Sequence, residues 1–115
     1  MFSSFLAGVL FLASSADQQI RFKPGATSAE VKGYLSGSKR VCYTLKAHSG
    51  QHMKLEANGE GATVVDVTKP NGEKEGQPGG FDADLAEAGI YRICVSEGNR
   101  GEHWKGPFTL RVEIK

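Results

Sequence analysis

The sequence has little of what marks an enzyme, a metalloprotein or a nucleic-acid-binding protein. It contains no G-x-S-x-G and no H-E-x-x-H motif. Its only cysteines, Cys42 and Cys94, are too few for the usual four-ligand zinc site, and no histidine lies at ligand spacing from either. We therefore predict a protein that is not an enzyme and that has no metal and no cofactor.

The sequence also has no large excess of positive or negative charge. The 14 Lys and Arg residues nearly balance the 13 Asp and Glu residues, so the net charge is +1. Both signs are scattered along the chain, and there is no basic tract or acidic tail. Nothing in this pattern favours nucleic acid or a membrane surface as a partner.

Long apolar runs are absent. The longest, residues 5–13, is far shorter than the roughly 20 residues of a membrane-spanning helix. Small residues follow it at 14–16, as signal peptidase requires, so cleavage after Ala16 is predicted. We expect a signal peptide over 1–16 and one exported domain, periplasmic or secreted, over 17–115. No Lys or Arg precedes the run, and a hydrophobic first strand is the alternative.

What the sequence does contain is alternation of apolar and polar residues. In FTLRVEIK, the last eight residues, every second side chain is apolar, which indicates a strand with one buried face. We predict an all-β fold, a single antiparallel β-sandwich or jelly-roll-like domain of about eight strands. The predicted strands are 20–22, 30–35, 40–47, 52–57, 63–67, 81–85, 90–96 and 108–115, with a polar loop over 69–80.

The two cysteines most simply form a disulfide in an exported chain, with two free thiols as the alternative. Both fall on the polar faces of their strands. Because a bridge needs Cα atoms within about 7 Å, strands 40–47 and 90–96 should be neighbours in one sheet, with the bridge on its outer face.

The segment 96–107, SEGNRGEHWKGP, is long for a connection between strands and precedes the last strand. It holds Arg100, His103, Trp104 and Lys105, a mixture of cations and a large aromatic that is typical of interfaces. The alternative is that Trp104 folds back and caps one open end of the sandwich. The composition of the segment supports the two interpretations equally.

Other candidate residues are weaker. Asp82 and Asp84 lie on one strand face, where they could hold Ca²⁺ or act in acid–base chemistry, but a solvated edge strand is the simpler interpretation. A metal site built from His48, His52 and His103 is unsupported. By strand parity, Tyr34 is an outward-facing aromatic.

The order of IRFKPGATSAEVKGYLSG, VCYTLKAHSGQHMKL, AGIYRICV and FTLRVEI resembles the bacterial inhibitors of g-type lysozyme and, more distantly, pre-peptidase C-terminal-like β-sandwiches. The resemblance implies that g-type lysozyme is the partner and that an arginine-bearing loop before the last strand enters its active-site cleft. Arg100 is the residue that matches this loop; the family usually has several arginines there, and this chain has one. The alternative function is a non-inhibitory binding module for glycan or protein surfaces.

Overall fold

The computed structural model describes residues 17–37, 39–98 and 104–115, and the predicted signal peptide lies outside these ranges. Within them the chain forms nine strands and no helix. In chain order they are β1 (Gln18–Gln19), β2 (Ser28–Ser36), β3 (Val41–Ala47), β4 (His52–Gly59), β5 (Thr63–Thr68), β6 (Lys74–Pro78), β7 (Gly80–Asp84), β8 (Gly89–Glu97) and β9 (Lys105–Ile114). None of the described segments is a helix able to cross a membrane.

The described strands form two sheets. One has four strands in the order β2-β9-β4-β7, and the other has five in the order β1-β3-β8-β5-β6. All pairings are antiparallel except that of β1 with β3. The predicted all-β sandwich is confirmed, with one strand more than the eight expected.

The core lies between the two sheets and is supplied by the alternating residues that the sequence indicated. Phe108, Leu110 and Val112 of β9 face Tyr43 and Leu45 of β3 across it, and all five are buried. Successive side chains of a strand point to opposite faces, so each strand contributes every second residue. Further fully buried side chains are Leu35, Met53, Leu55, Val65, Val67, Tyr91, Ile93 and Val95.

Cys42 and Cys94 form a disulfide, as predicted. They are direct cross-strand partners in β3 and β8, with Cα atoms 4.0 Å apart. Their neighbours Tyr43 and Ile93 point into the core, so the bridge lies on the outer face of the five-stranded sheet. The prediction that strands 40–47 and 90–96 pair in one sheet is confirmed.

Two predictions about the strands are wrong. The segment 69–80, expected as a loop, contains β6, which pairs with β5 at the edge of the sheet. Most of its side chains are exposed, so backbone hydrogen bonds form the strand without any apolar alternation. The expected strand 20–22 is also absent: β1 ends at Gln19, and Ile20 is buried while its N–H donates to Thr44 O before the chain leaves the sheet.

Candidate functional site

The predicted loop joins β8 to β9 at one end of the sandwich. Arg100 and His103 lie outside the described residues, so the structure describes Trp104 and Lys105 of the four predicted site residues. Glu97 closes β8 and Lys105 opens β9. The strands that carry the loop are central in their sheets, β8 between β3 and β5 and β9 between β2 and β4. A loop in this position is carried by strands that are hydrogen-bonded to a neighbour on each side.

Hydrogen bonds hold the two ends of the loop together. The N–H of Gly98 donates to Ala62 O at 2.7 Å, and the indole Nε1–H of Trp104 donates to the same oxygen at 2.9 Å. The backbone N–H of Trp104 also donates to Oε2 of Glu97, at 3.1 Å. Because both residues donate to one carbonyl oxygen, Gly98 and Trp104 lie side by side at this end of the sandwich.

Trp104 is half-buried and packs against the core of the sandwich. Its indole lies in a slot that exists because Gly59 has no side chain: a Cβ at that position would be 2.5 Å from Cη2 of the indole. The hydrogen bond to Ala62 O and the packing against the core are the contacts expected of a tryptophan that folds back and caps this end of the sandwich. Trp104 therefore holds the base of the loop with its described contacts.

Lys105 is exposed beside this base. It pairs with Ser36 at the end of β2. The next residue, Gly106, has a φ of 155°, and a Cβ at that position would be 2.5 Å from Cγ of Glu60. The N–H of Gly37 donates to Trp104 O at 3.2 Å, which ties the end of β2 to the loop as well. The ammonium group of Lys105 is thus available at the surface next to the loop.

His52, Asp82 and Asp84 form a cluster elsewhere on the molecule, on the outer face of the four-stranded sheet. Nδ1 of His52 is 2.6 Å from Oδ1 of Asp84, and Nε2 is paired with Asp82. Hydrogen bonding to Asp84, and then to Asp82, raises the pKa of His52 above its usual value. Both carboxylates thus interact with one imidazole, and all three side chains are largely exposed.

The sequence did not predict this cluster, because it depends on how two strands pair. His52 and Asp84 are direct cross-strand partners in β4 and the edge strand β7, a register that the sequence pattern does not specify. His48 takes no part in it, and His103 lies outside the described residues. In the described ranges there is no group of three or more His, Cys, Asp or Glu side chains that could hold a metal ion.

The fold is shared with solved inhibitors of g-type lysozyme. PliG of Aeromonas hydrophila, a periplasmic lysozyme inhibitor of g-type lysozyme, is similar with a TM-score of 0.75 and 26% identity, over 86% of this chain and 96% of that one. PliG of Salmonella Typhimurium, with the same description, is similar with a TM-score of 0.71 and 19% identity, over 86% and 97% of the two chains.

A pre-peptidase C-terminal domain is also similar, though less so. This domain of a Bacillus anthracis collagenase has a TM-score of 0.52 and 18% identity, over 86% of this chain and 94% of that one. No protein-family model matches the chain, and no curated protein sequence matches it. The two resemblances drawn from the sequence are confirmed as structural similarities. The PliG proteins are periplasmic inhibitors, which agrees with the predicted non-enzymatic and exported protein.

Proposed function

We propose that this protein is an exported inhibitor of a g-type lysozyme that blocks the active-site cleft with the loop before its last strand. The observation that carries the proposal is the similarity to the Aeromonas hydrophila inhibitor, which extends over 96% of that protein at a TM-score of 0.75. The lower TM-score of 0.52 for the pre-peptidase C-terminal domain favours this function over a non-inhibitory binding module.

The mechanism that we propose is occlusion of the cleft. A lysozyme cleft is acidic because its chemistry depends on carboxyl groups. Arg100 would enter it and pair with a carboxylate, since a guanidinium can form two parallel hydrogen bonds in a partly desolvated site. His103 and Lys105 would support this contact at the rim of the cleft, and Lys105 is exposed beside the base of the loop.

Trp104 has two possible contributions in this mechanism. Its half-exposed indole edge would add contact area at the interface, while its hydrogen bond to Ala62 O and its packing over Gly59 support the base of the loop. A loop that is already ordered before it binds loses less conformational entropy on binding. We therefore assign Trp104 mainly to holding the loop and Arg100 to the principal charge contact.

The experiment is a titration of g-type lysozyme activity on bacterial cell walls with purified residues 17–115, run beside c-type and i-type enzymes. We expect stoichiometric loss of the g-type activity alone. Arg100→Ala should weaken inhibition by about 30-fold or more, as for the loss of a central interface residue. Arg111→Ala is the matched control, because Arg111 lies on the outer face of the four-stranded sheet and away from the loop.

Two results would contradict different parts of the proposal, the first the inhibitory function and the second the role of the loop. No inhibition of any of the three enzymes, together with binding to cell-wall glycan, would support the non-inhibitory binding module. Inhibition that is equally strong in the Arg100→Ala and Arg111→Ala variants would retain the function and reject the loop. Trp104→Ala is not used for this purpose, because removing the indole leaves the slot at Gly59 empty and lowers stability as well.

A further inference from the structure

A groove of about 530 Å³ opens at the opposite end of the sandwich from the loop. Its floor is apolar: Ile20, Leu45 and Ile114 are buried, and half-buried Phe22 lies beside them. Ile114 ends β9, whose first residue adjoins the loop, so the two regions are separated by the length of a ten-residue strand, about 30 Å. The groove is within the usual size of ligand sites, roughly 300–1,000 Å³.

The rim of the groove carries charge of one sign. Arg21 and Lys46 line it and are exposed, and the described residues that line the groove include no Asp or Glu. The adjoining depression is lined by Arg21, Lys23 and Arg111 together with Glu30, so the region of unmixed positive charge is confined to the groove itself. An anionic group would therefore meet cations at the mouth and apolar side chains beneath them.

Two amide side chains make the lining rich in hydrogen-bond donors. The side-chain oxygen of Gln51 accepts from the backbone N–H of His48 at 2.8 Å, and that of Gln19 accepts from Nη2 of Arg21 at 3.2 Å. Because these oxygens are already used, the N–H groups of the two amides remain for a ligand. An extended peptide would bring its own N–H donors into this lining, where they need acceptors, so a peptide fits less well.

We propose that the groove binds a single-chain anionic amphiphile, with its carboxylate or phosphate head among Arg21, Lys46 and the amides. Its apolar tail would lie along half-buried Phe22 and the accessible edges of Ile20, Leu45 and Ile114. The head would receive charge-assisted hydrogen bonds. The tail would exchange water for apolar contact, which strengthens binding by up to about fourfold for each methylene group buried. This site is independent of the proposed inhibition, because it lies at the other end of the sandwich.

The test uses residues 17–115 labelled with ¹⁵N and titrated with dodecanoate below its micelle concentration. We expect saturable, one-to-one amide shifts centred on Ile20, Lys46 and Ile114, and calorimetry should give tighter binding for dodecanoate than for octanoate. Dodecyl phosphate in place of dodecanoate shows which head the site prefers, and binding of either supports the proposal. Dodecyltrimethylammonium carries the opposite charge and should bind at least about tenfold more weakly.

The variant Arg21→Gln/Lys46→Gln should weaken dodecanoate binding by about tenfold or more, because it removes both permanent cations from the rim. The matched control, Lys32→Gln/Lys74→Gln, removes the same charge from exposed positions outside the groove and should bind normally. Thermal unfolding of both variants shows that each is folded. Inhibition of g-type lysozyme, where it occurs, should be the same in the first variant as in the unaltered protein.

Several results would overturn the amphiphile site. They are the absence of saturable binding, equal binding of acetate and dodecanoate, equal binding of the cationic amphiphile, and equal losses in the two double variants. Shifts of the groove residues by the peptide N-acetyl-Ala-Leu-Ile, with none by dodecanoate, would reject the amphiphile in favour of a peptide carboxyl terminus.

Discussion

Removal of the Cys42–Cys94 disulfide should lower stability strongly and leave the fold intact. The bridge closes a chain segment with a sequence separation of 52 residues. In the chain-entropy model, a loop of about 50 residues restricts the unfolded chain by about 14 cal/mol/K, equivalent to about 4 kcal/mol at 25 °C. For a domain of about 100 residues this corresponds to a fall of about 20 °C in the thermal midpoint.

The fold should survive because the bridge is on the outer face of the five-stranded sheet. Tyr43 and Tyr91, beside it in the same strands, point into the core and keep their contacts when the sulfur atoms are separated. The near-ultraviolet circular dichroism of these rings should therefore be retained in the reduced protein and in Cys42→Ser/Cys94→Ser.

The assay is urea unfolding of the oxidised protein, the reduced protein and the double serine variant. The last two should agree, since both lack the cross-link. A stability loss below about 1 kcal/mol would refute the reasoning from loop closure. Loss of the native spectrum on reduction would refute the argument that the core does not depend on the bridge.

Three further predictions concern other parts of the molecule. Because the pKa of His52 is raised, its interaction with Asp84 stabilises the fold fully below the unfolded-state pKa of about 6.5, and this stabilisation is lost as the pH rises through the folded-state pKa. The difference in stability between the unaltered protein and His52→Gln should therefore be larger at pH 5.5 than at pH 8.5 in low salt. An NMR titration midpoint of His52 below 6.5 would contradict this. Gly59→Ala should displace the indole of Trp104, change its fluorescence and lower stability by about 1–3 kcal/mol. The control is Asn58→Ala, at an exposed position of the same strand, which should leave the fluorescence of Trp104 unchanged. A chelator should leave the thermal midpoint unchanged, because the carboxylates beside His52 are paired with the imidazole; a fall in the midpoint that Ca²⁺ reverses would support a metal site there instead.

The strands that the sequence predicted well are those with one buried face. In β3, β8 and β9 the alternation of apolar and polar residues is nearly unbroken, because each strand contributes every second residue to the core. The same parity placed both cysteines on outer faces and led to the correct strand pairing. Strand β6 was missed because it is an edge strand, and the hydrogen bonds that define it leave no trace in side-chain polarity.

The candidate site was less predictable because it depends on contacts between distant residues. The direction of the Trp104 side chain is decided by the slot over Gly59 and by the carbonyl oxygen of Ala62, neither of which is close in sequence. Likewise, the interaction of His52 with Asp84 requires the register of β4 with β7. Composition could show that a tryptophan and several cations share a loop, but not which of them faces the protein.

The connection between β6 and β7 determines how the sandwich can open. These are edge strands of different sheets on the same long side, and Gly79 alone separates them in the chain. On the opposite side, the edge strands β1 and β2 are joined through the longer segment 20–27. Because a single residue joins β6 to β7, these two edges can move apart very little, and the sheets should separate first on the side of β1 and β2. Amide hydrogens along β1 and β2 should therefore exchange with solvent sooner than those of the edge strands β6 and β7.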